Sequence, residues 1–283
     1  MKPIVLLLSL SCGLWAAGPE FDQARKLYNL TEFEQSLKIL QVIPQKDGAV
    51  YDLIGRNYYM QGDFKKATEA LEKAVAVDPG NSQFNLWLGR AYGRRAETSS
   101  LITAPGYATR ARQYFEKAAQ LNPRSLEAQS DLFEYYLEAP GFLGGGFEKA
   151  AVTAEQIARI NPAEGHWAQA RLDEKRKEFS SAEEQLRRAI ELTPHQVGRL
   201  VDLARLLAKQ GRMEEADQSF ARAEAIAPNS PKVLFAEADV YIKAGRNLNI
   251  AKDLLNRYLS LTLTPEDPPR SQAEKLLKQL QGG

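Results

Sequence analysis

Apolar side chains recur three and four positions apart along most of the chain, which predicts a succession of amphipathic helices and no strands. The stretch "GDFKKATEALEKAVAVDPGN", from Gly62 to Asn81, puts Ala67, Leu71 and Ala74 on one stripe and closes on Pro79. The same cadence returns in "TRARQYFEKAAQLNPRS", "GFEKAAVTAEQIARINP", "SAEEQLRRAIELTPHQ" and "EEADQSFARAEAIAPNS". Anchored on Ala67, Ala111, Ala150, Ala182, Ala216 and Ala251, the segments lie 44, 39, 32, 34 and 35 residues apart. Twelve residues after each of the first five alanines stands a proline: Pro79, Pro123, Pro162, Pro194 and Pro228. A proline has no backbone donor and cannot continue a helix interior, so each one marks where the next unit starts.

Upstream of the first two alanines lie "YDLIGRNYY" and "NLWLGRAYG", with Gly55 and Gly89 34 residues apart. A glycine at that point lets one helix backbone approach its partner closely, and the small alanines do the same on the second helix. Tyr58, Leu71, Tyr92 and Phe115 are candidates to fill the seam between them. No single helix pair can bury its own stripe, so neighbouring pairs must stack.

This period of two helices resembles the tetratricopeptide repeat. The signature positions are occupied by Tyr51, Ile54, Gly55, Tyr58, Ala67, Leu71, Ala74 and Pro79 in one unit. Leu88, Gly89, Tyr92, Ala111, Phe115, Ala118 and Pro123 occupy them in the next. Leu200, Leu203, Ala204, Ala216, Phe220, Ala223 and Pro228 fill them in a later unit. The resemblance implies an all-α, right-handed solenoid of antiparallel helix pairs. Units are expected at about 18–47, 48–81, 82–125, 126–162, 163–196, 197–230 and 231–265, with a capping helix over 268–281. Residues 19–283 would then form one array, and Arg270, Lys275 and Lys278 would face solvent on the cap.

The first 18 residues, "MKPIVLLLSLSCGLWAAG", break the pattern. One lysine, a short apolar run and a small-residue exit read as a signal peptide cleaved after Ala17 or Gly18. The run falls short of the roughly 20 apolar residues that span a bilayer, so no membrane span is expected. The reading implies an exported protein, periplasmic or secreted, of a bacterium. Cys12, the only cysteine, lies inside this segment. If Cys12 is retained and acylated instead, the chain is a tethered lipoprotein. Net charge is +1 at neutral pH, and loss of Lys2 leaves 36 cations against 36 anions, a balance that gives no sign of nucleic-acid binding.

Two units carry insertions, within 93–110 and 137–147, and insertions in repeat arrays map to loops that are often the binding face. Candidate chemistry is sparse. His166 and His195 are not spaced as metal ligands, and "GFLGGG" lacks the lysine and the preceding strand of a phosphate loop. Glu183–Glu184 and Glu214–Glu215 are expected at the starts of second helices, where they favour the helix dipole. No enzyme, cofactor or metal is expected.

In the repeat family the first helix of each unit lines the concave face. Its inward positions carry Arg56, Arg90, Arg94, Arg171, Lys175, Arg205, Lys209 and Lys243, interrupted by Glu134, Glu138 and Asp239. Residues four apart share a helix face, and an arginine fork suits carboxylates. The expectation is a groove that binds a partner protein or peptide through acidic segments, with Trp167 pointing into it and Trp87 packing between helices. The alternative is a solvated face whose charges neutralise each other, Glu134 with Arg90 for example. Asp52 and Leu86 stand where the family's known peptide clamp needs lysines, so that clamp is not expected. The chain reads as a non-catalytic interaction scaffold of the cell envelope. The alternatives are a Cys12-anchored assembly factor for a pilus or outer-membrane machine and, from another class, an envelope glycan-acting enzyme.

Overall fold

The computed structural model describes residues 18–281. Among them there are fifteen α-helices and no strand. The signal-peptide reading and Cys12 lie outside the described residues.

The helices pair into seven hairpins. These are α1 (Pro19–Asn29) with α2 (Phe33–Val42), α3 (Gly48–Met60) with α4 (Phe64–Val77), α5 (Ser82–Thr98) with α6 (Ala104–Leu121), and α7 (Leu126–Glu138) with α8 (Phe147–Ile160). They continue with α9 (Pro162–Lys175) and α10 (Phe179–Leu192), α11 (Val197–Lys209) and α12 (Met213–Ile226), and α13 (Pro231–Ala244) and α14 (Leu248–Ser260). A single helix, α15 (Arg270–Gln281), follows. The hairpins stack into an all-α helical repeat solenoid.

Short side chains start the first helices. Asp47, Asn81, Ser125 and Asn161 each accept a backbone N–H from the opening turn of α3, α5, α7 and α9, satisfying donors that no helix carbonyl can reach. Between the helices of a pair the chain turns through a left-handed residue: Thr31, Gly62, Lys177, Gly211 and Gly245 have φ between 60° and 79°. At Lys177 that conformation has no glycine to relieve it.

The anchoring alanines do what their size allows. Ala67, Ala111, Ala150, Ala182, Ala216 and Ala251 are at most 1% exposed. A Cβ added to Gly55 would sit 2.4 Å from Leu71 Cγ, and one added to Gly89 2.7 Å from the Phe115 ring. Close approach also occurs between units: at Gly165 on α9 it would fall 2.4 Å from Ala158 Cβ on α8. Buried clusters run along the whole array, one passing into the next through shared residues such as Tyr58, Trp167 and Met213.

Three expectations change. Most of the insertion at 93–110 is helix: it lengthens α5 and α6 beyond their counterparts, so that only residues 99–103 form a loop. Glu183 falls in the second turn of α10 rather than its first, and bridges instead to Arg212 before α12. Arg270 is exposed, but it also donates to the carbonyls of Leu259 and Leu261 at the end of α14.

Candidate binding groove

The first helices of successive hairpins share one face, and a cleft of 660 Å³ opens along α9, α11 and α13. Its floor is apolar, with Trp167, Ala170, Leu206 and Val240, and its rim is charged. The structure brings Trp167, Arg171, Arg205, Lys209 and Lys243 together there. Trp167 rests against Phe133, ring centroids 5.8 Å apart, and carries the Arg199 guanidinium 4.8 Å from its centre. Lys175 sits one turn beyond Arg171 on α9.

The cations are seldom free. Arg171 makes a fork onto Glu134 at 3.1 Å through both Nε and Nη2, and also reaches Glu138 and Glu174. Burial would weaken the hold of Arg171 on its proton, but these three carboxylates reverse that and push it above the ordinary range. Lys175 pairs with Glu138 at 2.7 Å, Lys209 with Glu174 at 2.9 Å and Lys243 with Asp239 at 2.7 Å. Burial pushes Glu174 up, yet Lys209 and Arg171 hold its carboxyl below the usual carboxylate range. Among the described residues Arg205 is exposed and has no ion-pair partner. Burial raises the nearby Asp202 carboxyl, against the pull of Arg199, Lys232 and Arg205.

The remaining sequence-predicted residues lie at the other end. Arg56 binds Asp52 at 2.7 Å and packs its guanidinium 4.6 Å from the centre of the Trp87 ring. Arg90 lies 4.8 Å from that ring and pairs with Asp131 and, at 2.8 Å, with Glu127. It does not meet Glu134. Arg94 pairs with Glu97 and covers Phe64. Trp87 packs on its local core and also lines the groove, so the expectation of burial between helices covers only part of its environment. A second cleft of 840 Å³ lies here, with Tyr59, Trp87, Arg90 and Arg94 on one wall. Pro265, Asp267, Gln272 and Lys275 of the C-terminal segment form the opposite wall. The two ends of the solenoid therefore face each other across the groove.

Sequence reasoning did not pick out Arg199, Glu174 and Asp202. Their only signal is adjacency: Glu174 precedes Lys175, and Arg199 and Asp202 lie within two turns of Arg205 on α11. His166 pairs with Gln185 at 2.7 Å. Among the described residues no cluster of three or more His, Cys, Asp or Glu is placed to hold a metal ion, and no helix is long and apolar enough to cross a membrane.

Two tetratricopeptide-repeat family profiles match the chain, over residues 48–81 and 174–234. The chain carries tetratricopeptide repeats. A tetratricopeptide-repeat protein of Parabacteroides merdae shares its fold with a TM-score of 0.60 and 13% identity, over 93% of this chain and 98% of that one. A thermophilic tetratricopeptide-repeat protein of Thermus thermophilus aligns with a TM-score of 0.54 and 22% identity, over 66% of this chain and 97% of that one. No curated protein matches the sequence. Repeats and fold together support a protein-interaction scaffold in general.

Proposed function

We propose that the protein is a non-catalytic scaffold of the bacterial cell envelope that holds a partner protein in its concave groove. The observation that carries this reading is the cleft along α9, α11 and α13. There an apolar floor containing Trp167 lies beside Arg205, the cation that intramolecular carboxylates leave free. An extended peptide would lay apolar side chains on that floor and present a carboxylate to the Arg205 fork. The other cations keep their carboxylates, so the groove selects one acidic position in an otherwise apolar or neutral segment.

The cleft does bring together three carboxylates that the sequence alone did not assemble: Glu174, Asp202 and Asp239. Glu174 and Asp239 are engaged by lysines at 2.9 and 2.7 Å, which supports a role as counter-charges. A zymogram of the purified protein on envelope glycan is expected to show no clearing; clearing lost on Asp202→Asn would replace the scaffold reading with a glycan-acting enzyme.

Peptide-array binding followed by fluorescence anisotropy tests the groove. Peptides with one acidic residue flanked by apolar ones are expected to bind, more weakly at higher salt, and to lose binding with Arg205→Glu. Equal binding by that variant would move the contact out of this cleft. The envelope location rests on the composition of residues 1–18. Mass spectrometry of the mature N-terminus is expected to find a start near Gly18 or Pro19, whereas an acylated Cys12 would make the protein a tethered assembly factor.

A further inference from the structure

The two inserted segments meet on one edge of the array. Each joins the first to the second helix of its hairpin, and the hairpins are consecutive. The loop before α8 lies against the opening turns of α6: the Tyr135 hydroxyl sits 3.0 Å from Ala108 O and 2.9 Å from Leu143 O, bridging the two. A Cβ on Gly144 would fall 2.8 Å from Arg112 Cδ, and one on Gly145 1.9 Å from Ala139 O. This loop is therefore packed in place, and it still presents Phe142 at 82% exposure. A few residues before α6, Leu101 and Ile102 are 94% and 91% exposed.

Three properties of these tips decide what they fit. First, nothing charged occurs between Glu97 and Arg110, or between Glu138 and Glu148, in a chain that is 26% charged. Second, the backbone flanking the three tip residues is closed on itself, while the N–H groups of Leu101, Ile102 and Phe142 have no backbone acceptor among the described residues. Ser100 O accepts from Thr103 N and Ala104 N, Pro140 O from Leu143 N and Gly145 N, Gly141 O from Gly144 N, and Tyr136 O from Gly146 N. The Ser100 and Thr103 hydroxyls pair at 3.1 Å. A loop so satisfied enters a medium poor in water without leaving these backbone groups unpaired. Third, side chains this exposed stand on convex tips. Three of them offer far less than the roughly 800 Å² per partner that a stable protein interface buries, but a bilayer closes around a convex tip.

We propose that Leu101, Ile102 and Phe142 form a lipid contact that seats this edge of the array on a membrane surface, entering the headgroup–acyl boundary without spanning it. The exposed Lys149, which donates to Gly144 O at 2.9 Å, stands behind the Phe142 loop at headgroup level.

Sedimentation of the full chain with phosphatidylcholine vesicles tests this, comparing the native protein with L101S/I102S/F142S. All three positions are exposed, so the variant is expected to keep its helical circular dichroism and melting temperature. Its partitioning should fall by about tenfold or more. In a second variant, Ile102→Trp, emission should shift to the blue on vesicles and be quenched by brominated acyl chains. Equal sedimentation of native protein and triple variant, or an Ile102→Trp spectrum unmoved by lipid, overturns the proposal. So does light scattering that shows a dimer lost in the triple variant, since the patch would then belong to a second copy of the chain.

Discussion

The same substitution, glycine to alanine, should have opposite signs at two positions of this solenoid. Gly93 and Gly165 both lie within helices, α5 and α9. A Cβ at Gly93 meets nothing within 4 Å, so Gly93→Ala gains only the helix preference of alanine, about 0.8–1 kcal/mol. A Cβ at Gly165 would fall 2.4 Å from Ala158 Cβ and 2.6 Å from its Cα on the neighbouring unit. Those atoms cannot rotate away, so α8 and α9 must separate by about an ångström. Overpacking of this kind costs about 1–3 kcal/mol. Set against the helix gain of about 1 kcal/mol, Gly165→Ala should destabilise by up to about 2 kcal/mol. Urea unfolding followed by far-ultraviolet circular dichroism reads both. Cooperativity in stacked arrays runs through nearest-neighbour interfaces, so Gly165→Ala should also broaden the transition by uncoupling the two halves. A Gly165→Ala protein as stable as Gly93→Ala would refute the close packing of α8 on α9.

Glu164 and Arg199 join consecutive units at 2.7 Å with side chains 8% and 13% exposed, and Glu164→Ala should cost about 1.5–3 kcal/mol because it removes one of the two carboxylates that pair with the buried Arg199 guanidinium, leaving Asp202. Lys243→Ala, at a pair whose lysine side chain is 74% exposed, should change stability by less than about 1 kcal/mol; both are read by thermal unfolding. Burial pushes the Asp52 carboxyl up to about 6, against the pull of Arg56. Its folded pKa lies above its unfolded one, so the folded state holds the proton more tightly and stability falls as pH rises from about 4 to 6. The loss is on the order of 2–3 kcal/mol, and Asp52→Asn should remove that part of the slope when urea midpoints are followed across pH. Lys177 turns the chain at φ 64° between α9 and α10, so Lys177→Gly should raise the unfolding free energy by up to about 1 kcal/mol, read as a higher urea midpoint.

The tile was legible because its causes are local. A stripe spacing, a small residue where helices touch and a proline between units are written within a few tens of residues, and Ala67, Gly55 and Gly89 sit where that logic puts them. The groove was legible only as a set of positions. Arg171, Arg205, Lys209 and Lys243 do share one cleft; Lys243 meets Asp239 four residues away on its own helix, but Arg171 and Lys209 are also engaged by carboxylates 33 or more residues away, Glu138 and Glu174. A cation's register can be read along its own helix; its partner's rotamer on the next helix cannot. The approach of residues 265–275 to Trp87 and Arg90 left no sequence signal at all, because it sums a small rotation over every unit. The insertion at 93–110 was visible as extra length, yet nothing in its composition said that most of it would extend α5 and α6 as helix.

A partner seated on the concave face can be captured there. Site-resolved photocrosslinking reads this contact, with a benzophenone amino acid placed at Lys243 on the groove rim and, in a second protein, at the exposed Arg188 on α10. One discrete adduct is expected from position 243, absent from position 188 and lost when Arg205→Glu is added. The same adduct from both positions, or one from position 188 alone, would contradict a seat on the concave face.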